Sequence, residues 1–241
     1  FAIFVISAVH VGLISSTPDY SLEVSGGGEK FFASLKVLKS KTVLALIVLE
    51  VLWKCATLIS NPFYGVYQTS ELAFTLTFVS LLSMVQALVR AVVSPLMGKI
   101  ADRLGWRTNL AICYSAAVIG FVAMVFCTPE NGRLMYLIHN VFYGIAMAGI
   151  NSGLMNIYFD YVPVADRTST LGVKSAIGGV VGFLSTTVAG VALARIQKNG
   201  IEMFGSPVYA QQVLSFASAL ICLFGAIYVA VVIKRLKKIE K

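Results

Sequence analysis

Charge is what this chain has least of. Only 12% of its 241 residues are Asp, Glu, Lys or Arg, about half the share in an ordinary soluble domain. Histidine is nearly absent, with His10 and His139 far apart, so no histidine cluster offers itself to a metal. The four cysteines, Cys55, Cys113, Cys127 and Cys222, lie in or at the end of apolar runs without C-x-x-C spacing. They read as small buried thiols rather than metal ligands or disulfides. No G-x-x-x-x-G-K-[ST] phosphate loop occurs, which removes ATP as the driver within this chain. No H-E-x-x-H or G-x-S-x-G occurs either, and no nucleophile stands beside a base. The chain is therefore expected to be no enzyme and to need no cofactor or metal.

What is abundant is apolar sequence, 58% of the chain, bunched in blocks of about 20 residues. That length crosses a hydrocarbon layer of about 30 Å at 1.5 Å per residue. The blocks predict six spans, near residues 42–59, 72–97, 109–127, 134–159, 170–194 and 209–233. The fold class is all-α: a polytopic six-helix transmembrane bundle preceded by the stub of another span. In domain terms, 1–15 is that stub, 16–41 a cytoplasmic linker, 42–233 the bundle and 234–241 a basic cytoplasmic tail. The chain opens inside an apolar run without an initiator Met, so it is expected to be a fragment whose upstream part is missing. Within the linker, F-F-A-S-L-K-V-L-K-S can form an amphipathic helix on the bilayer surface. Asn61-Pro62 is expected to close the first complete span, with aromatics Phe63, Tyr64 and Tyr67 at the interface.

Net charge is +8, and its distribution explains it better than a nucleic-acid partner would. Of the 19 Lys and Arg, 14 fall in one alternating set of loops and 3 in the other, with Lys54 and Arg90 inside spans. Lys and Arg remain on the cytoplasmic side. That places the linker, the Gly98–Arg107 connection and the C-terminus inside the cell, in a plasma or cytoplasmic membrane.

The connection itself reads G-K-I-A-D-R-L-G-W-R. Its charge density predicts a tight aqueous hairpin between two spans. The pattern G-x-x-A-D-R-x-G-x-R closely resembles the loop signature of the major facilitator superfamily of secondary transporters. Gly98, Ala101, Asp102, Arg103, Gly105 and Arg107 match it, while Trp106 stands where a basic residue is usual. The resemblance implies a C-terminal half built from two three-helix repeats. It also implies that Asp102 faces the N-terminal end of the span that follows Asp160-Tyr-Val-Pro and a loop arginine, Arg167. Such a contact would latch the cytoplasmic side shut, helped by helix-dipole attraction of about 0.3–1 kcal/mol.

Three charges fall inside spans. Glu50 and Lys54 share a helix face, and Arg90 shares one with Gln86. At about 1.5 Å per residue Glu50 and Arg90 lie roughly 12 Å deep and Lys54 roughly 18 Å. Glu50 can pair with Lys54 or with Arg90, leaving one cation spare for an anionic or zwitterionic solute. Asn140, Gly144, Ala148 and Asn151 form a stripe on the fifth span, with Asn140 and Asn151 candidates for packing or cavity lining. Gly178, Gly182, Thr186, Gly190 and Ala194 repeat every fourth position on the next, a close-packing face. The expected function is transport of a small solute by alternating access, with the bilayer and the missing N-terminal bundle as partners. A truncated membrane scaffold is the alternative, and a membrane-embedded enzyme a more distant one.

Overall fold

In a computed structural model, residues 34–200, 202–203 and 206–236 are described. The expected stub 1–15, most of the linker, His10 and the end of the tail lie outside them. A 3-10 turn, Leu35–Lys39, leads into α1, Lys41–Val66. Then come α2, Leu76–Leu104; α3, Trp106–Val125; α4, Gly132–Tyr161; α5, Val164–Asn199; and α6, Ala210–Val231. Between α5 and α6 two short strands, Glu202–Met203 and Ser206–Pro207, pair antiparallel. All six helices are long and apolar enough to cross a membrane.

Local chemistry sets the helix ends. Ser40 caps α1, its hydroxyl accepting from the Val43 N–H at 3.4 Å. Thr75 caps α2 in the same way through Phe78 at 3.3 Å. Two expectations about ends need correction. Asn61-Pro62 does not close the first span: α1 runs through Pro62 to Val66 and ends in a π turn, Tyr67–Glu71. The physical reason lies on the neighbouring helix. Pro62 has no N–H to give the Leu58 carbonyl one turn back, and Thr186 of α5 supplies the bond instead, Oγ1 donating to Leu58 O at 3.1 Å. A membrane helix tolerates proline where an adjacent helix satisfies the freed group. Second, α5 begins at Val164 behind Pro163 rather than at Thr170, so Lys174 lies nearly three turns inside the helix.

Packing follows an exchange rule. α1 packs on α5 and α6, as α4 packs on α2 and α3. Swapping α1–α3 for α4–α6 maps these pairs onto each other, the arrangement of two three-helix repeats. α3 and α6 back the bundle, α1 and α4 meet across its front, and α2 and α5 flank it without packing on one another. The flanking helices carry much exposed apolar surface, including Leu88 and Val92 on α2 and Phe183 and Val188 on α5. In hydrocarbon such surface is at home.

Seams between helices are small-residue seams. On α5, Gly182 sits where a Cβ would come within 2.6 Å of Leu58, and Gly178 lies against Glu50. On α4, Gly144 meets the Gln86 carbonyl of α2, and Gly149 and Gly153 meet Asn109 and Leu110 of α3. The expected close-packing face of the α5 helix is therefore its seam with α1.

Thr186→Val should destabilise the bundle by about 1–3 kcal/mol, the cost of orphaning a buried carbonyl. Combining it with Pro62→Ala should recover most of the loss, because residue 62 then bonds Leu58 itself. Denaturation of both variants in detergent, followed by circular dichroism, measures this; equal losses in the single and double variants would refute it.

Candidate solute cavity

Seen from the membrane-embedded charges outward, Glu50 is the first fixed point. Its side chain is 10% exposed, and its Oε2 lies 3.2 Å from Lys174 Nζ on α5. Lys174 also donates to the Leu154 carbonyl at 3.1 Å and stands 5.2 Å from the centre of the Tyr158 ring. One lysine thus ties α1, α4 and α5 together. Lys54 is the looser partner of Glu50, at 4.0 Å and with 41% of its side chain exposed.

Arg90 does not join this group. It is exposed on α2 and forms no ion pair among the described residues. The expected Glu50–Arg90 alternative is corrected: Glu50 takes Lys174 of α5, a residue counted among the 14 loop cations from sequence. Along their helices, Arg90 lies about 20 Å from the Leu104 end of α2 and Lys54 about 20 Å from the start of α1.

Above them is a cavity of about 250 Å³ between α1, α2 and α4, lined by Asn61, Gln68, Gln86, Tyr136, His139 and Asn140, among others. Its aromatic wall begins as a column: Trp53 stacks on Tyr143 at 6.2 Å and Tyr143 on His139 at 5.4 Å. Tyr64 meets the His139 ring edge-on at 4.9 Å. His139 Nδ1 lies 3.0 Å from the Gly120 carbonyl. A carbonyl only accepts, so the neutral ring carries its proton on Nδ1 and keeps Nε2 as an acceptor. Asn61 Nδ2 donates to Tyr143 Oη at 2.8 Å, while its Oδ1 has no partner. The Gln68 and Gln86 side chains form no hydrogen bond among the described residues. Asn140 Nδ2 is used within its own helix, by the Tyr136 carbonyl at 2.7 Å. The arrangement offers several spare amide groups and a lone-pair nitrogen.

These features sit on a shared ancestry that the chain as a whole declares. The family model described as Major Facilitator Superfamily matches residues 1–186 and again residues 52–239. The chain belongs to that superfamily. No curated protein matches it. Among solved structures, a crystal structure of a mutant of the nucleoside transporter NupG is similar in fold, with a TM-score of 0.66 and 15% identity. The match covers 94% of this chain and 58% of that one.

In this facilitator the signature connection is mostly helix rather than loop. Gly98 to Leu104 form the last turns of α2, and the junction is the single residue Gly105 at φ 84°, ψ 161°, backbone that glycine alone adopts readily. Asn109 secures the elbow by donating from Nδ2 to the Met97 carbonyl at 3.0 Å. Asp102 and Arg103 are exposed and Arg107 is half-buried; a Cβ at Gly98 would meet nothing. The expected contact between Asp102 and Arg167 is not made. Arg167 is engaged elsewhere, donating from Nε to the Val162 carbonyl at 3.1 Å and from Nη2 to the Phe159 carbonyl at 2.9 Å. Its guanidinium also stands 5.1 Å from the centre of the Phe159 ring. It caps the end of α4, where Asp160 occupies the last turn. Gln86 and Asn140 line the cavity; Asn151 is exposed and does not. Sequence reasoning missed Asn61, Gln68, Tyr64, Tyr136, His139 and Tyr143 as lining. Asn61 and Tyr64 could have been found from Lys54 by counting helical turns along α1.

Lys174→Met alone should cost about 3–5 kcal/mol by leaving Glu50 buried without its close cation, and Glu50→Gln added to it should restore at least half. Arg90→Gln should leave stability unchanged. A thermal-unfolding cycle in detergent measures all three, and a large loss in Arg90→Gln would reinstate it as the partner of Glu50.

Proposed function

We propose that this bundle is the C-terminal half of a secondary carrier that moves a small anionic or zwitterionic solute by alternating access. The single observation that supports the charge class is the pair of span cations Lys54 and Arg90. A cation inside a span costs up to roughly 2.5–3.5 kcal/mol even on the most lenient scale. Lys54 is loosely compensated and Arg90 has no acidic partner among the described residues. An anion entering the cavity relieves both, and the guanidinium fork suits a carboxylate or phosphate.

Alternation draws support from the packing. α2 and α5, which do not pack on each other, are the faces left for a second bundle. Small-residue seams beside α1 and α4 permit sliding at low cost. In this reading the C-terminus is cytoplasmic, and Asp102 is an open latch. Its partner on closure is the N-terminal end of α5, whose first-turn N–H groups attract a carboxylate, rather than the already occupied Arg167. NupG is named for nucleosides; the cations Lys54 and Arg90 favour a charged solute here.

The test is counterflow into proteoliposomes holding the product of the complete reading frame, loaded with an isotope-labelled metabolite extract and read by mass spectrometry. At least one organic anion should exchange, and Arg90→Gln or Lys54→Met should slow it tenfold or more. Exchange confined to neutral solutes, indifferent to both substitutions, would defeat the charge assignment. Asp102→Asn should raise the accessibility of cysteines introduced at the cytoplasmic ends of α2 and α5; an unchanged labelling ratio would remove the latch.

A further inference from the structure

The wall of the cavity says more about the solute than its charge. At about 250 Å³ it is smaller than the roughly 300–1,000 Å³ of sites that take drug-sized ligands. The uncommitted groups facing that space are planar. The amides of Gln68 and Gln86 are unbonded, the Asn61 oxygen is unpartnered, and His139 presents a lone-pair nitrogen. A primary amide carries a donor and an acceptor side by side in one plane, which matches a ring edge bearing adjacent N–H and C=O groups. Three tyrosines, Tyr64, Tyr136 and Tyr143, make up much of the remaining wall and suit the unsaturated ring of such a molecule. One helical turn below Gln86 on the same face of α2 comes Arg90, and two turns below Asn61 on α1 comes Lys54.

We propose that the solute is a planar heterocyclic anion, its in-plane amide edge read by Gln86, Gln68 and Asn61 and its acid group held by Arg90 and Lys54. The assignment rests on the solute-carrier reading and narrows it. It makes Gln86 and Arg90 separate determinants of specificity on one helix, one for the ring edge and one for the charge. A polyol acid fits less well, because its hydroxyls project out of any single plane and its ring, where present, is not flat.

Four probes separate the two determinants, each titrated by calorimetry into the product of the complete reading frame in lipid nanodiscs. Orotate has both the amide-bearing ring and the carboxylate; uracil has the ring alone, benzoate a flat ring with the carboxylate alone, and gluconate the carboxylate on a polyol. Orotate should bind at least tenfold more tightly than any of the other three. Arg90→Gln should bring orotate down to the level of uracil, and Gln86→Leu to the level of benzoate. Benzoate binding as well as orotate, still dependent on Arg90, would overturn the heterocycle while sparing the anion carrier. Uracil binding as well as orotate would overturn the charge assignment and this proposal together. Gluconate binding most tightly, or no saturable binding of any probe, would overturn the proposal, and the counterflow experiment then decides the carrier reading by itself. The comparison among the four probes needs no variant, so a substitution that fails to fold leaves the outcome readable.

Discussion

Hydrocarbon offers no hydrogen bonds, so each polar group carried into it must find its partner on another helix. That constraint organises this bundle more than apolar packing does, because lipid is as apolar as leucine and gives helices little reason to prefer each other. α1 shows it along its whole length. Its Leu49 carbonyl accepts from Tyr114 Oη at 2.6 Å, Glu50 holds Lys174, Leu58 O takes the Thr186 hydroxyl, and Ser60 bonds Ser218 at 2.6 Å. These ties reach α3, α5 and α6, and Asn61 adds α4 through Tyr143. A single helix is thus pinned to four neighbours by polar groups, and the small-residue seams let them approach closely enough to do it.

The same constraint separates structural polarity from functional polarity. Glu50 and Lys174 satisfy each other and are almost wholly buried, so they can be understood without a ligand. Asn61, Gln68, Gln86, Lys54 and Arg90 are less completely satisfied, and the first three line the cavity. In a soluble protein water would complete their bonds and leave no inference to draw. Within a membrane segment the shortfall has to be met by a watered path, a second bundle or a solute, and a carrier presents all three in turn.

How much of this the sequence disclosed depended on which signal carried it. The six spans were legible because a run of apolar residues is a long, redundant signal. The connection Gly98–Arg107 was legible because its residues match a family pattern. Errors came at boundaries. Ending the span at Met97 left out the last turns of α2, which run to Leu104, and starting α5 at Thr170 left out its first six residues. Pro163 at the helix entrance and Asp166 in its first turn were the marks that could have fixed the second boundary. Pro62 was read as a stop because the rule for proline is local, whereas the hydroxyl that overrides it sits on a helix more than a hundred residues away. The cavity wall was illegible for a related reason: Asn61, Gln86 and Tyr143 come from three helices, and only their packing brings them together.

Lys54 and Arg90 bear on the proposed solute through charge alone, because neither lines the cavity itself. Under the reading proposed above, an anion seated there would weaken the repulsion between the two cations, and its departure would restore it. α1 and α2 carry one cation each and both pack on α4, so a change in that repulsion would be passed on through α4. Electrostatics of this kind would link the contents of the cavity to the helices around it, which a carrier requires if it is to change conformation when loaded.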